Sequence, residues 1–313
     1  MKEFIPAVFT KCSQSNCATT QQRIVNSRAR EQMSDAFHRP DAPTRPTTLS
    51  VVITTYNEAE HIGPCLDSVA WADEKIVVDG ESTDHTREIA EGRGARVFVQ
   101  PNYPMLNHNK NYGMEQAKGD WVMSLDSDER VSPGLRDEIC AALSCSPVDG
   151  YRIPLRNFFW GKQLRRAGGY PGVVTRICRR GNGRFGTEYV HQGLEIEGAV
   201  ESLASPLHHY PARNLYELIA KLNFNTTMTA NHFGRKGTRG SIPRACLHAF
   251  GDFIYRYFCR GAFIDGAAGF VLCAVRAMYV FTWQMKLWER KKVDNRGSPA
   301  LPASLPQLPL GRY

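Results

Sequence analysis

Apolar and polar positions change their pattern sharply at Leu49. From there onward, short continuous apolar runs alternate with stretches whose apolar residues recur at helical spacing. The run LSVVITT predicts a strand that is buried on both faces, KIVVD predicts a second buried strand, and ARVFVQ and WVMSLD predict two further strands. The stretches EAEHIGPCLDSVAWA, DHTREIAEGRGA and MLNHNKNYGMEQAKG between them predict helices. This alternation predicts an α/β fold, with a mostly parallel sheet and helices on both of its faces.

The same pattern divides the chain into four parts. Residues 1–48 are polar and show little periodicity, which predicts a poorly ordered leader. Residues 49–212 form the predicted α/β domain, whose final part is rich in Gly, Arg and aromatics and should form short antiparallel strands. Residues 213–290 are predicted to form an amphipathic helical region. Residues 291–313 repeat proline, which predicts an extended, disordered tail.

The helical region ends in an apolar and aromatic stretch. Its longest nearly uncharged run, from Ala267 to Trp283, contains Arg276, so it is too short and too interrupted for a typical membrane span. Flanking cations instead indicate helices that lie on an anionic membrane surface, with the packed core of a helical domain as the alternative. These cations are Arg256, Arg260, Lys286, Arg290, Lys291 and Lys292.

Composition narrows the class of partner. The 313 residues are 42% hydrophobic and 22% charged, which is typical of a globular protein with one large domain and appendages. The net charge of +8 suits an anionic partner, but the cations are dispersed and no nucleic-acid-binding module is present, so nucleic acid is not expected. Nine cysteines without a CxxC pair, and a leader without a signal peptide, indicate free thiols in the cytoplasm. The expected location is the inner face of the cytoplasmic membrane, with the protein held there peripherally.

Polar clusters follow three of the predicted strands. They are Thr55 to Glu58, Asp79 to Asp84, and Asp126 to Arg130. Ligands of open α/β sheets bind beyond the carboxyl ends of the strands, so these clusters should share one site. Neither GxGxxG nor GxxxxGK[ST] occurs, so dinucleotide-binding and P-loop interpretations lack their phosphate cradles.

The triplet Asp126-Ser127-Asp128 is the candidate metal site. An isolated DxD is more often a solvated turn or a helix cap than a metal site. After a buried strand, however, two carboxylates need partners, and Mg²⁺ or Mn²⁺ would supply one while also binding diphosphate oxygens. Basic side chains that could add to this diphosphate site are Arg176, Arg179 and Arg180.

Several other residues have both a functional and a structural interpretation. Asp79 could accept hydrogen bonds from a base or a ribose. Tyr56 could stack on a base or pack in the core. Lys110 and Asn111 could contact a ligand or form a solvated helix face. His191 could be a general base, a metal ligand or a structural histidine.

Three motifs, VVITTYNE, IVVDGESTD and GDWVMSLDSDER, resemble those of family 2 glycosyltransferases of the GT-A fold. This resemblance covers about residues 49–143. Later segments narrow it to the subgroup that includes the lipopolysaccharide core β-1,4-glucosyltransferases of Gram-negative bacteria, and extend it to Glu289. These segments are DGYRIPLRNFFWGK, GGYPG, TRICRR, GRFGTEYVHQ and KLWE.

The resemblance implies an inverting, metal-assisted transfer of a sugar, glucose from UDP-glucose, to a lipopolysaccharide core or another lipid-linked acceptor. It implies Asp126 and Asp128 as the residues that bind Mg²⁺ or Mn²⁺. Relatives commonly have His-Glu where this chain has His191-Gln192, so His191, Glu188 and Glu129 are alternative catalytic bases. Residues that match the nucleotide-sugar contacts are Thr55, Tyr56, Glu58, Asp79, Lys110, Asn111, Asp126, Arg176, Arg179 and Arg180.

Two further interpretations compete with this one. A nucleotidyltransferase can also use an α/β domain with paired acids, but it would usually show a glycine- and basic-rich loop after the first strand, which TTYNEAEHI lacks. A degenerate glycosyltransferase that only binds sugar nucleotides or acts as a scaffold is the other alternative, because of Gln192.

Overall fold

The computed structural model describes residues 47–103, 105–167, 172–187 and 192–294, with only the backbone for 291–294. The predicted leader, apart from its last two residues, lies outside this part of the chain. So do the predicted tail from residue 295 onward and the candidate bases Glu188 and His191.

Strands and helices alternate in the first half, as the apolar pattern predicts. The strands are β1 Leu49–Thr55, β2 Glu74–Asp79, β3 Arg96–Val99, β4 Trp121–Asp126, β5 Glu129–Arg130, β6 Gly150–Phe159, β7 Lys162–Gln163, β8 Gly172–Arg179, β9 Gly183–Phe185, β10 Leu194–Ile196, β11 Val200–Ser202 and β12 Leu207–His209. The α-helices are α1 Ala59–Ser68, α2 Thr86–Glu91, α3 Asn107–Glu115, α4 Pro133–Ser144, α5 Leu215–Arg235, α6 Ile242–Ile254 and α7 Gly266–Asp294.

The described strands of the central sheet run in the order β3-β2-β1-β4-β8-β6-β12-β5, with β7 and β11 also paired to β6. The strands β3, β2, β1 and β4 are parallel. β8 is antiparallel to both of its neighbours, whereas β11 and β12 run parallel to β6. The short strands after residue 150 are therefore mixed in direction, because only some of them are joined by tight hairpins, and the antiparallel prediction holds only in part.

Helices cover both faces of the sheet, which explains the continuous apolar runs. All seven residues of β1 are buried. Val51 and Ile53 belong to the core that α1 and α4 share. Val52 points to the opposite face, where it packs in a second core with Met114 of α3. A strand that is covered on both sides needs apolar residues at every position, so it cannot show period-two alternation.

The C-terminal region is helical, as predicted. Between α6 and α7 lie a π-helical turn, Tyr255–Cys259, and a 3₁₀ turn, Ala262–Asp265. α7 reaches Asp294, so the helix ends four residues beyond the predicted boundary at 290. The run Ala267 to Trp283, expected to be too short for a typical membrane span, belongs to a longer helical stretch, Ala262–Arg290. By length and composition this stretch is apolar enough to cross a membrane, and most of it is not buried within the described structure.

Candidate active site

The polar ends of three parallel strands meet at one level of the sheet. β1 lies between β2 and β4. Thr55 is paired in register with Asp79 of β2, and Thr54 with Asp126 of β4. Because these strands are parallel, their carboxyl ends point to the same edge. The predicted convergence of the three polar clusters therefore follows from the strand register.

The loops that follow β1 and β2 are tied to each other. The Asn57 amide N–H donates to Ser82 Oγ at 2.8 Å, and the Thr83 N–H donates to Asn57 Oδ1 at 2.8 Å. Ser82 N–H in turn donates to Asp79 Oδ2 at 2.8 Å. Asn57 and Glu81 have positive φ angles of 53° and 62°. Left-handed backbone at non-glycine residues is costly, and it concentrates where loops are held in a fixed shape for function.

Several buried side-chain atoms at this edge have no hydrogen-bond partner among the described residues. Buried polar atoms are normally paired, so a group of exceptions in one place indicates where a ligand binds. Thr55 Oγ1 and Asp79 Oδ1 are two of them, on residues that are paired in register. The set at this edge is Thr54 Oγ1, Thr55 Oγ1, Asp79 Oδ1, Ser124 Oγ, Asp128 Oδ1 and Arg176 Nε.

The carboxylate of Asp126 is held between two cations. Its Oδ1 lies 2.6 Å from Lys110 Nζ, and its Oδ2 lies 2.7 Å from Arg176 Nη2. Burial alone would raise the pKa of Asp126, but Arg176 and Lys110 hold it well below its usual range. Asp126 is therefore ionised, and each of its oxygens holds a close ion pair, which fixes the end of β4.

Glu129 does not meet the requirements of a catalytic base. Its side chain is completely buried. Its Oε1 lies 2.5 Å from Arg176 Nη2, and its Oε2 accepts a hydrogen bond from the Asp126 N–H at 3.0 Å. Burial raises the pKa of Glu129, although Arg176 opposes this effect. A carboxylate with both oxygens engaged inside the protein cannot reach an acceptor hydroxyl, so the structure contradicts this candidate.

The environment of Asp128 differs from that of Asp126. Its Oδ2 lies 3.5 Å from Lys221 Nζ and its Oδ1 lies 3.6 Å from His209 Nε2, while Oδ1 is buried without a hydrogen bond. Burial tends to raise the pKa of Asp128, but His209 and Lys221 lower it to about 2. His209 is oriented through Nδ1 by Asn157 Oδ1 at 2.7 Å. Asp128 is thus ionised, and its Oδ1 is held only by the long ion-pair contact to His209.

Asp128 Oδ1, with its single long contact to His209, fits a divalent cation better than the Asp126 oxygens, each of which is held by a close ion pair. No group of three or more His, Cys, Asp or Glu side chains that could hold a metal occurs in the part of the chain described. A metal here would take Asp128 from the protein and its other ligands from water and phosphate. Mg²⁺ is commonly bound in this way, through one or two carboxylates together with substrate phosphates. The predicted pair thus separates into a metal candidate, Asp128, and a positioning residue, Asp126.

His209 and Lys221 are residues that the sequence did not single out for this site. His209 reaches it because β12 pairs with β5, which sets His209 opposite Glu129. Burial lowers the pKa of His209, but Asp128 and the neighbouring acids outweigh this and raise it. Lys221 comes from α5, where its Nζ also donates to the Pro211 carbonyl at 2.8 Å. The only signal in the sequence was the His208-His209 pair itself, since its distant partners were not apparent.

Two of the three predicted arginines lie away from the site. Arg179 is paired in register with Trp121, the first residue of β4, and its guanidinium stacks on that ring at 4.6 Å. Trp121 precedes Asp126 by five residues, or about 17 Å of strand. Arg180 continues in the same direction, with its N–H bonded to the Asp120 carbonyl. Both therefore lie at the opposite edge of the sheet, and only Arg176 reaches the acids.

Asn111 also has a structural position. Its Nδ2 donates to the Phe185 carbonyl at 2.9 Å and its Oδ1 accepts from the Phe185 N–H at 2.8 Å. Both ends of the buried amide are thus occupied by β9, so the structure does not support a contact with nucleotide. Lys110, one residue earlier on α3, points to Asp126 instead, with its Nζ 5.2 Å from the centre of the Phe185 ring.

The remaining candidates, Tyr56 and Glu58, lie in the loop after β1. Both are partly buried. Glu58 immediately precedes α1, and its N–H donates to Thr86 Oγ1 at 2.9 Å. Burial raises the pKa of Glu58 to about 7, with Lys221 opposing and Asp128 adding to the shift. Carboxyl groups whose pKa is shifted toward neutrality are common in functional sites, which keeps Glu58 among the candidates beside Asp128.

Comparison with known proteins identifies relatives across most of the chain. Residues 50–166 match the family model described as Glycosyl transferase family 2. The lipopolysaccharide core biosynthesis glycosyltransferase LpsC of Rhizobium meliloti (strain 1021) is 27% identical over 256 residues, covering 79% of this chain and 94% of LpsC. The uncharacterized glycosyltransferase RP128 of Rickettsia prowazekii is 29% identical, covering 76% of this chain and 86% of RP128.

Solved structures show a weaker likeness. The mannosyltransferase PcManGT from Pyrobaculum calidifontis, in complex with GDP-Man and Mn²⁺, is 16% identical, with a TM-score of 0.45 over 82% of this chain and 94% of that protein. TarS 1–349 of S. aureus, in complex with UDP-GlcNAc, is 17% identical, with a TM-score of 0.44 over 80% of this chain and 93% of TarS.

Proposed function

Because this chain belongs to glycosyltransferase family 2, we propose that it transfers glucose from UDP-glucose, with inversion, to a lipopolysaccharide core or another lipid-linked acceptor. The acceptor class is suggested by LpsC, whose name places it in lipopolysaccharide core biosynthesis. The enzyme would work peripherally, at the inner face of the cytoplasmic membrane.

One observation carries this proposal: unpaired buried polar atoms meet at the carboxyl ends of β1, β2 and β4. Asp79 Oδ1 is a buried acceptor without a partner, next in register to Thr55 Oγ1, which also has none. Uracil presents one N–H donor at N3, which an unpaired carboxylate oxygen can accept. Tyr56 and Glu58 follow in the loop beside these groups, where a ring face and a second polar side chain can contact base and ribose.

The diphosphate would lie next to Asp128. Its Oδ1, which has no hydrogen bond within the described protein, would hold Mg²⁺ or Mn²⁺, and the cation, when bound, would neutralise charge that develops on the departing diphosphate. Lys221 is about half exposed and lies 3.5 Å from Asp128, so its ammonium is available to phosphate oxygens as well. Asp126, Lys110 and Arg176, which are joined by ion pairs, would form the rigid support behind this position.

The acceptor hydroxyl must lose a proton as it attacks C1 of the sugar. With Glu129 engaged inside the protein, we propose that the base is His191 or Glu188, both outside the described residues. The residues that flank them are attached to α3: Asn107 Nδ2 donates to the Gly186 carbonyl at 2.6 Å and to the Gln192 carbonyl at 3.1 Å. These bonds keep the flanks of the segment beside Lys110.

Donor hydrolysis provides the direct test. The purified full chain would be incubated with UDP-, GDP- and ADP-sugars in the presence of Mg²⁺ or Mn²⁺, and release of nucleoside diphosphate would be measured. We expect release from UDP-glucose, dependent on the cation and abolished by chelation. Asp128→Ala should lose this activity while still unfolding in a cooperative transition, which urea unfolding would check.

An exposed acid supplies the matched control. Glu201 lies on β11, is exposed, and has no described contact with the site, so Glu201→Gln should hydrolyse UDP-glucose at the wild-type rate. Unchanged hydrolysis by Asp128→Ala would reject the metal site. Hydrolysis of no nucleotide sugar would favour the scaffold interpretation, and preference for another donor would reject glucose.

A further inference from the structure

Exposed apolar side chains gather where α6 turns into α7. Phe253 and Tyr257 are the inner members of the group, and their rings lie 5.6 Å and 5.8 Å from that of Phe270. The outer members remain about half exposed and form what we call the apolar tip: Phe258, Phe263, Ile264 and Phe270. A contiguous exposed group of large apolar residues marks an interaction surface in a folded protein.

A loop that carries two arginines is fixed against this tip. The carboxylate of Asp265 accepts backbone N–H bonds from Arg165 at 2.8 Å, Arg166 at 2.8 Å and Ala167 at 2.6 Å. The Arg166 side chain passes Gly261, within 4.0 Å of where a Cβ on that glycine would lie. Asp265 thus anchors the loop to the helical turn, and the exposed Arg165 and Arg166 side chains lie beside the apolar residues.

The charge around the tip is positive. Arg260 closes the π-helical turn and is exposed, as is Lys162 on β7. The acids close to the tip are engaged: Asp265 by the three backbone N–H groups, and Asp252 by an ion pair with Arg256 at 2.9 Å. Arg165, Arg166, Arg260 and Lys162 form what we call the cationic rim.

A tryptophan borders the same surface. Trp160 and Gly161 connect β6 to β7 with φ angles of 49° and 72°, and the Trp160 side chain is 42% exposed. The adjacent Phe159 belongs to a small core in which Ala268 and Leu272 of α7 also pack, so this hairpin is fixed to the helices. Exposed tryptophan is favoured at the boundary between water and lipid, because its ring is apolar and its N–H is polar.

We propose that the apolar tip and the cationic rim dock on an anionic phospholipid surface, with Trp160 at the boundary. Apolar side chains would enter the headgroup region while the cations pair with lipid phosphates. This inference rests on the proposed function, since a lipid-linked acceptor lies at such a surface. Asn157, which orients His209 beside Asp128, precedes Trp160 by three residues, or about 10 Å of strand. Docking would therefore bring the acceptor to the donor site.

The contacts of α7 favour docking over a transmembrane arrangement. Lys286 Nζ donates to the Asn223 carbonyl at 2.7 Å and to Thr226 and Thr227 Oγ1 at 2.9 Å and 2.7 Å. These bonds hold the second half of α7 on α5, so spanning would place buried polar groups in lipid. A second copy of the chain is also disfavoured as the occupant, because a two-fold contact would bring like-charged rims together.

Vesicle co-sedimentation tests the proposal with the full chain. Phosphatidylcholine vesicles with about one-third phosphatidylglycerol would be compared with pure phosphatidylcholine. We expect the wild type to prefer the anionic vesicles and to be released by high salt. Phe258→Glu/Phe263→Glu and Arg165→Glu/Arg166→Glu should each weaken binding at least tenfold, from lost apolar burial and lost lipid pairing respectively.

Matched controls carry the same changes elsewhere. Val99→Glu alters an exposed apolar residue on β3, and Lys118→Glu/Arg184→Glu reverses two exposed cations. Both should bind like the wild type. Three results would each overturn the proposal. They are wild-type binding by both the tip variant and the rim variant, resistance of the bound wild type to alkaline extraction from vesicles, and dimerisation at the tip without vesicle binding. Hydrolysis of soluble UDP-glucose should be unchanged in the tip variant and the rim variant. The hydrolysis assay therefore distinguishes a failure of docking from a failure of the proposed donor chemistry.

Discussion

The donor site, at the carboxyl ends of β1, β2 and β4, and the apolar tip differ in the kind of group that each leaves without a favourable partner. At the donor site, polar atoms are buried without partners, as Asp79 Oδ1 and Asp128 Oδ1 are. At the tip, apolar side chains such as Phe258 and Ile264 are exposed. Each arrangement costs free energy in the isolated chain, and each is relieved by a different surrounding: a charged small molecule in the first case, a lipid surface in the second.

The two regions also differ in how they are held. The donor site is built on parallel strands whose register fixes the positions of its groups, and buried ion pairs support it from behind. The tip depends on one carboxylate, Asp265, that joins a loop to a helical turn. Substitutions should therefore separate stability from activity within the donor site, and the following four are ordered from the largest expected effect to the smallest.

The largest effect is expected from Arg176→Met. Arg176 is buried between Asp126 and Glu129, so removing its guanidinium leaves the buried Glu129 carboxylate without its cation and the partly buried Asp126 with Lys110 alone. Breaking a buried ion pair on one side typically costs about 3–5 kcal/mol. Urea unfolding should show a loss of this size, whereas Arg184→Met, at an exposed position, should stay within about 0.5 kcal/mol. A loss below about 1 kcal/mol would mean that Arg176 does not support the site.

Asp128→Asn should remove activity without comparable loss of stability. The contacts of Asp128 to His209 and Lys221, at 3.6 Å and 3.5 Å, are longer than those of Arg176, so its removal should cost less stability than removal of Arg176. We expect hydrolysis of UDP-glucose to fall about 10²–10³-fold, the range for a lost electrostatic contact to developing charge. Free energies of unfolding of both proteins would be measured alongside. A loss of stability equal to that of Arg176→Met would place Asp128 with the structural ion pairs.

The α/β part of the chain, which holds the donor site, could be predicted well from the sequence because its signals are local. A strand covered on both faces must be apolar throughout, so β1, β2 and β4 could be recognised with their polar ends. What could not be predicted depends on distant pairing. Arg176 and Arg179 are three residues apart on β8, which places them at different heights on the sheet, and only the register shows which one meets Asp126.

The partners of α3 show the same limit. Asn107 and Asn111 are four residues apart, a spacing that places both on one helix face. Their partners at Phe185 and Gly186 are more than seventy residues away in sequence. The interpretation of Asn111 as a ligand contact therefore could not be distinguished from a structural amide until the fold was known. The same holds for His209, which β12 delivers to Asp128.

Asp79→Asn should affect recognition of the base more than catalysis. Asp79 Oδ2 accepts from the Ser82 N–H, and the amide oxygen of Asn can keep that bond while its NH₂ replaces the free acceptor. An NH₂ group would face the N3–H of uracil with a second donor, whereas it can donate a hydrogen bond to N3 of cytosine. We expect KM for UDP-glucose to rise about tenfold, the effect of one lost hydrogen bond to a charged group, with kcat nearly unchanged.

A competition assay sharpens this test. Inhibition by UDP should weaken in Asp79→Asn and inhibition by CDP should strengthen, so that their ratio moves toward CDP. Asp67→Asn, at an exposed position on α1 paired with Arg93, serves as the control and should leave the ratio as in the wild type. A fall in kcat with unchanged KM would show that Asp79 acts on the reacting centre and not on the base.

The smallest effect concerns Glu58 and depends on pH. Burial raises the pKa of Glu58 to about 7 in the folded chain, from 4.5 when unfolded. The folded state thus binds the Glu58 proton more tightly than the unfolded state does. The stability that this protonation contributes is present below pH 4.5 and is lost as the pH rises to about 7. Gln mimics the protonated form, so Glu58→Gln should lack this loss. At pH 8 we expect the variant to be more stable than the wild type by roughly 1–2 kcal/mol, a difference that closes toward pH 4.5 in urea unfolding. Equal pH profiles for the two proteins would mean that Glu58 is solvated and takes no part in the electrostatics around Asp128.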